Sequence, residues 1–162
     1  MIRYAKPADY PAIRVLLDQA FGQSVEGDIV DELRADGEAM FELVAEIDGQ
    51  IMGHIMFSRL WADSANLYSA LGPMAVHPTL QNTGIGEKLG KTGLANAREF
   101  GAHAVIVLGH PGYYPRFGFT PEAAQQVTSP FSGNPAFMAL ALEEGALSEP
   151  LMIAYPAAFR VR

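Results

Sequence analysis

Main-chain amides at a glycine-rich turn are the groups of this sequence whose spacing best suits them to bind an anion. The turn consists of Gln81, Asn82, Thr83, Gly84, Ile85 and Gly86. An amphipathic helix pattern begins at Ile85, and the first amides of a helix have no intrahelical acceptor. These amides and the positive end of the helix dipole favour a phosphate or pyrophosphate. Gly84 and Gly86 leave room for the anion because they carry no Cβ.

Three anion-binding motifs compete for this turn, and spacing distinguishes them. Residues 90–92, Gly-Lys-Thr, look like the end of a nucleotide-binding P-loop, but that motif requires a glycine where Ile85 stands. The dinucleotide pattern G-x-G-x-x-G requires its last glycine where Leu89 stands. The pattern Q/R-x-x-G-x-G/A fits residues 81–86 without a gap.

This third pattern is the pyrophosphate loop of the GNAT superfamily of N-acetyltransferases, and flanking motifs extend the resemblance. Val76-His77-Pro78 matches the V-x-P that joins strand and loop in that family, and residues 114–119 match its Y-x-x-x-G-F. The whole chain resembles a subgroup of bacterial predicted N-acetyltransferases that carry a C-terminal Tyr155-Pro156-x-x-Phe159. The resemblance implies an enzyme that moves the acetyl group of acetyl-CoA to a primary amine by direct attack in a ternary complex.

Hydrophobic periodicity predicts the elements that position these motifs. Strands are predicted at residues 2–5, 41–47, 51–57, 104–108 and 137–142 and in a segment ending at Val76, and helices after Pro7, around Ile29 and over residues 85–100. A helix between two buried strands implies a parallel pair with a right-handed crossover. The resemblance implies an α/β (α+β) fold of one domain over residues 1–162. Its mixed sheet would be mostly antiparallel, with one splayed parallel pair and helices on both faces.

The same resemblance locates the co-substrate. In the family the pantetheine arm of acetyl-CoA lies between the splayed strands, against the backbone of the earlier strand. Carried over to this sequence, that edge is Met74, Ala75 and Val76, whose N–H groups would also stabilise the oxyanion. Acetyl-CoA is therefore expected as co-substrate. No metal is expected, because no histidines or carboxylates show a metal-binding spacing.

Two residues are candidates for proton transfer. The resemblance assigns Tyr114 as the general acid that protonates the departing CoA thiolate; otherwise Tyr114 is a core aromatic. Many relatives carry a glutamate on the strand before the loop, but residues 68–76 contain no carboxylate. His110 follows a predicted strand and could act as the base, since histidine titrates near neutrality. A solvated His110, with water as the base or an amine that arrives neutral, is an equally open alternative.

Composition restricts the partners. A net charge of −7 and a pI near 5.0 disfavour nucleic acid and anionic membranes and suit a cationic small-molecule or protein amine acceptor. The absence of cysteine excludes disulfides, thiolate metal sites and a cysteine nucleophile. No apolar run reaches the ~18 residues of a membrane span, and the first residues do not resemble a signal peptide, so a cytoplasmic protein is expected. The apolar residues 131–142 would permit a homodimer.

Several assignments stay open at this point. A CoA-binding module without catalysis and a P-loop nucleotide enzyme are the alternatives to an acetyltransferase. Arg59, Trp61 and Asp63 are expected in a loop that borders the acceptor pocket. His54 is expected in the core or cleft wall, and His103 at the end of the helix before it.

Overall fold

A computed structural model describes residues 1–160; Val161 and Arg162, which belong to the domain predicted over residues 1–162, lie outside the described residues. The helices are α1 (Tyr10–Phe21), α2 (Val25–Ala35) and α3 (Ile85–Glu99). The strands are β1 (Ile2–Tyr4), β2 (Ala39–Ile47), β3 (Gln50–Ala62), β4 (Leu67–Val76), β5 (Ala102–Leu108), β6 (Val127–Thr128), β7 (Phe137–Ala141) and β8 (Leu151–Ala154). Short 3₁₀ turns join several of these elements.

The main sheet has the strand order β1-β2-β3-β4-β5-β7. Its neighbours are antiparallel except for β4 and β5, which run parallel because α3 connects them as a crossover. Away from this path, β8 pairs with the end of β3, and the two-residue strand β6 lies parallel to β8. The mixed, mostly antiparallel sheet with a parallel pair around a crossover helix is therefore confirmed.

Helices cover both faces of the sheet, as predicted. On one face α3 buries Leu89, Leu94 and Ala97 against inward residues of β2, β3 and β5. On the other face α1 and α2 pack on β2, β3 and β4. Successive side chains of a strand point to opposite faces of the sheet, so each face has its own set of apolar residues for a helix to cover. Each fully buried Leu, Ile or Phe side chain stabilises such a layer by roughly 1.5–3 kcal/mol.

Two local predictions were wrong. Arg59 and Trp61 lie in β3 rather than in a loop, because β3 continues past β4 and pairs Trp61 with Ala154 of β8. His103 lies within β5 rather than at the end of α3. The chain instead leaves α3 through Gly101, whose φ of +90° is a left-handed conformation that favours glycine. Within residues 1–160, no helix is both long and apolar enough to cross a membrane.

Candidate active site

The parallel strands β4 and β5 separate before they end, and this separation opens a cleft. Their pairing covers residues 67–71 of β4 and stops at Leu71 opposite Val107. Gly72 and Pro73 follow, joined by a cis peptide bond. Because proline has no N–H, Pro73 cannot donate to a neighbouring strand, and β4 continues beside β3 alone.

The register of β3 and β4 determines which main-chain groups face the cleft. Val76 lies opposite Gly53, and the amide of His77 donates to the carbonyl of Met52 at 2.8 Å. In an antiparallel ladder the direction of the amides alternates, so Ala75 pairs with β3 while Met74 and Val76 direct their amides to the open edge. Of the three predicted backbone contacts, two are thus free for a ligand and Ala75 is used by the sheet.

The glycine-rich turn lies at one end of this cleft. Gly84 has a φ of +94° and its carbonyl accepts the first helical hydrogen bond, from the amide of Lys88 at 3.1 Å. The amides of Ile85, Gly86 and Glu87 precede that bond and have no intrahelical acceptor. The predicted strand–turn–helix arrangement with uncommitted amides is therefore present at residues 81–86.

Side chains of the turn stabilise its conformation through hydrogen bonds to nearby main-chain carbonyls. The Gln81 amide donates to the carbonyl of Val76 at 3.2 Å, and the Thr83 hydroxyl donates to the carbonyl of Leu80. Asn82 has a φ of +63°, which asparagine tolerates better than most residues. These contacts connect the turn to the end of β4 and keep its amides at the mouth of the cleft.

Tyr114 lines the cleft from a short 3₁₀ turn, residues 114–117, that follows β5. Its amide and that of Tyr113 both donate to the carbonyl of His110, at 3.2 and 3.0 Å. Its ring packs edge-on against Phe119, which is fully buried. Burial, with a smaller contribution from Tyr113, raises the pKa of Tyr114 to about 12. The phenol therefore keeps its proton at neutral pH and is able to donate it.

His110 also lines the cleft, immediately after the end of β5. Its side chain is exposed, and its imidazole makes no hydrogen bond with the residues described. The structure thus brings together the predicted edge, turn, Tyr114 and His110 around one cavity of about 1100 Å³.

Part of the cavity lining consists of residues that the sequence analysis did not assign to the site. We call this surface the acceptor wall; its members are Phe21, Glu26, Ile29, Phe131, Tyr155 and Phe159. Phe21 ends α1 and Glu26 and Ile29 belong to α2, whereas the other three lie more than 100 positions later in the chain. The Tyr-Pro-x-x-Phe motif at residues 155–159 was the one sequence signal for these residues, and it did not indicate that they would line the cavity.

Other sequence candidates lie away from the cleft. Gly90 is within α3, where its missing side chain makes room for Phe117: a Cβ would lie 2.4 Å from the ring. Lys91 pairs with Glu87 at 2.9 Å on an exposed helix face. Residues 90–92 thus belong to the helix interior and are not a phosphate loop. The Arg59 guanidinium stacks on Trp61 at 3.9 Å, and neither lines the cavity.

Asp63 accepts a hydrogen bond from the amide of Met152 at 2.9 Å, and this bond connects the end of β3 to β8.

The remaining sequence predictions concern dimerisation and metal binding. Within residues 131–142, Phe137, Met138 and Ala139 are buried in the chain's own core, which accounts for their apolar character. Dimerisation stays a prediction. Across residues 1–160, no group of three or more His, Asp or Glu side chains is arranged to hold a metal ion.

Comparison with known sequences matches the chain to one family model and to two N-acetyltransferases. The model of the Acetyltransferase (GNAT) family matches residues 10–119. The uncharacterized N-acetyltransferase YhbS of Escherichia coli (strain K12) is 34% identical over 151 residues, which cover 91% of this chain and 90% of YhbS. The uncharacterized N-acetyltransferase YjhQ of the same organism is 39% identical over 124 residues, 74% of this chain and 68% of YjhQ.

Solved structures resemble the whole chain. The crystal structure of YhbS from Escherichia coli in complex with CoA has a TM-score of 0.92 at 32% identity and covers 99% of this chain and 92% of its own. A GNAT family acetyltransferase from Brucella melitensis in complex with acetyl-CoA has a TM-score of 0.79 at 38% identity, covering 98% and 97%. The family model matches more than half of the sequence. The two GNAT structures superpose on nearly the whole chain. The chain belongs to the acetyltransferase (GNAT) family and is an acyltransferase.

Proposed function

We propose that this protein transfers the acetyl group of acetyl-CoA to a primary amine while both substrates are bound. The observation that carries the proposal is the continuity of one cleft. It runs from the uncommitted amides of residues 84–87, along the open edge of β4, to the ring of Tyr114 and the acceptor wall. The CoA and acetyl-CoA complexes of the two similar proteins support this use of the cleft.

In this proposal the main chain binds acetyl-CoA. The turn at residues 81–86 holds the diphosphate, and the amides of Ile85, Gly86 and Glu87 are its donors because they are unpaired and lie at the positive end of the α3 dipole. The amides of Met74 and Val76 donate hydrogen bonds to the pantetheine arm, which lies along the free edge of β4 like an added strand. One of these amides also lies where the negative charge of the thioester oxygen develops, so it stabilises the tetrahedral intermediate.

The transfer step requires two proton movements. The amine nitrogen attacks the thioester carbon, a C–N bond forms, the C–S bond breaks and the thiolate leaves. Tyr114 donates its phenolic proton to that sulfur, and the phenol is in the protonated form at neutral pH. The proton lost by the amine goes to His110 or to water at the exposed side of the cleft. Since the sequence has no cysteine, a cysteinyl acyl-enzyme does not enter the scheme.

Calorimetry and a thiol-release assay test the proposal together. CoA and acetyl-CoA should bind in the micromolar range. ATP and GTP should bind much more weakly, because they carry phosphates for the turn but no pantetheine arm for the edge of β4, and because residues 90–92 are helical. Acetyl-CoA and a panel of primary amines should yield free CoA and N-acetylated product, detected by mass. Absence of CoA binding would refute the proposal. Tight CoA binding with no transfer to any amine would favour the non-catalytic CoA-binding module.

A further inference from the structure

The acceptor wall is a packed aromatic surface that no step of the proposed chemistry has used. The ring of Tyr155 meets Phe131 and Phe159 edge-on, with centroids 5.4 and 5.6 Å apart. Phe159 and Ile29 pack against the core that α1 and α2 share. Because these contacts hold the side chains, the wall presents a fixed apolar face toward the cleft.

Glu26 is the acidic group on this wall. It lies three residues before Ile29, on the same face of α2. Its carboxylate oxygens accept hydrogen bonds from the Gln23 amide at 3.0 and 3.1 Å. No cation pairs with Glu26 within residues 1–160, whereas Asp28, two positions on, forms an ion pair with Arg14 at 2.8 Å. The half-buried Glu26 therefore carries a charge into the cavity that no described cation neutralises.

A second polar group on the wall also lacks a partner. The hydroxyl oxygen of Tyr155 is buried and makes no hydrogen bond with any described residue. Burial raises the pKa of Tyr155, so the group is a neutral hydroxyl at physiological pH. Buried hydroxyls in folded proteins are nearly always hydrogen-bonded, so this one is an exception on the protein side of the wall.

We propose that the acceptor is a protonated amine with an aromatic or branched apolar body. Its ammonium first binds Glu26 and its body covers Phe131, Tyr155 and Phe159; the nitrogen attacks only after it has given one proton to water, so the attacking species is the neutral amine. A cation beside aromatic faces and a carboxylate is stabilised by both. Amino sugars would bury hydroxyls on an apolar wall, and amino acids would bring a carboxylate toward Glu26, so both classes are disfavoured. This inference rests on the proposed N-acetyl transfer.

The test measures binding of defined probes to the full chain by calorimetry, with and without saturating CoA. The probes are 2-phenylethylamine, its neutral isostere 2-phenylethanol, glucosamine and phenylalanine. We expect 2-phenylethylamine to bind at least about tenfold more tightly than the other three, because it alone combines an ammonium with a purely apolar body. Glu26→Gln should abolish the preference for the amine over the alcohol. Glu149→Gln, the same charge change at an exposed site, should preserve it.

A second variant keeps the inference falsifiable if Glu26→Gln folds poorly. Phe131→Leu should weaken 2-phenylethylamine binding severalfold and leave glucosamine unchanged. Equal affinity of 2-phenylethylamine for wild type and Glu26→Gln, or tighter binding of glucosamine, would overturn the inference. CoA binding with acetylation of other amines would then leave the acetyltransferase proposal intact. Absence of CoA binding by the wild type would refute the acetyltransferase proposal and with it the role of these amines as acceptors.

Discussion

The ring of Tyr114 lies directly against the backbone of Gly109. A Cβ built on Gly109 would be 2.3 Å from Cε2 of Tyr114 and 2.6 Å from its Cδ2, closer than a real contact allows. Gly109 directly follows β5, and its amide donates to the carbonyl of Ala136 at 3.0 Å, so its position is fixed. The location of the proposed acid thus depends on a missing side chain five positions earlier in the sequence.

Gly109→Ala should therefore displace Tyr114 and lower the turnover number by about tenfold or more, because a shift of ~1 Å at a reacting group costs up to 10²-fold. The matched control is Gly112→Ala in the same loop, where an added Cβ meets nothing within 4 Å. Steady-state kinetics with acetyl-CoA checks both variants. Equal turnover for the two would show that the close contact does not position Tyr114.

Tyr114→Phe should lower turnover by roughly 10²–10³-fold, since it removes the proposed general acid and keeps the ring. The affinity for CoA should stay within about twofold, because main-chain amides bind the diphosphate in our proposal. Tyr4→Phe removes an exposed phenol from β1, outside the cavity lining, and serves as the control. Equal loss of turnover and of CoA affinity would contradict the assignment.

Gly84→Ala should weaken CoA binding by about tenfold. Gly84 has a φ of +94°, and an alanine there would distort the turn that presents the amides. Gly101 has a φ of +90° at the other end of α3, and an added Cβ at either position meets nothing within 4 Å. Gly101→Ala therefore reproduces the strain without touching the turn. Calorimetry should detect the loss only in Gly84→Ala; a similar loss in both would attribute it to general destabilisation.

Gly90→Ala should lower the free energy of unfolding by about 1–2 kcal/mol, although alanine at an unobstructed helix position stabilises by about 1 kcal/mol. The added Cβ would lie 2.4 Å from the Phe117 ring, which packs beside Tyr114. Lys91→Ala, on the exposed face, should change stability by less than about 0.5 kcal/mol. Urea unfolding measures both. A stabilised Gly90→Ala would mean that Phe117 moves aside without loss.

A buried network on the other face of the sheet predicts a pH dependence of stability. Glu42 accepts two hydrogen bonds from Arg34, at 2.7 and 2.8 Å, and contacts Nε2 of the fully buried His54 at 2.9 Å. Burial by itself raises the pKa of Glu42, but these partners outweigh it and lower the pKa from 4.5 to about 2. Burial lowers the pKa of His54, whose neutral ring then donates from Nε2 and leaves Nδ1 unpaired.

Both shifts make the unfolded state bind more protons than the folded state, so stability should fall as the pH falls. The His54 contribution is lost first, below about pH 6.5, with a slope of at most about 1.4 kcal/mol per pH unit. The Glu42 contribution is lost between about pH 4.5 and 2. His54→Gln keeps a donor for Glu42 and should remove the decline between pH 6.5 and 5. Identical pH profiles of wild type and variant, measured by urea unfolding, would contradict this account.

The sequence by itself determined the features that depend on local order. The turn at residues 81–86, the helix that begins at Ile85 and the buried strand after it follow from glycine placement and hydrophobic period, which neighbouring residues alone decide. The family resemblance also followed from short motifs in order. These features were enough to predict the mixed sheet, the crossover and the site of the anion-binding amides.

Only the tertiary structure decided which distant residues meet. The order and register of the strands direct Met74 and Val76, but not Ala75, toward the open edge. Packing of the C-terminal segment on α2 brings Glu26 and Phe159 into one cavity, although more than 100 positions separate them. Such contacts arise from the burial of apolar faces contributed by several elements at once, and no periodicity within a single segment encodes the partner of a given face.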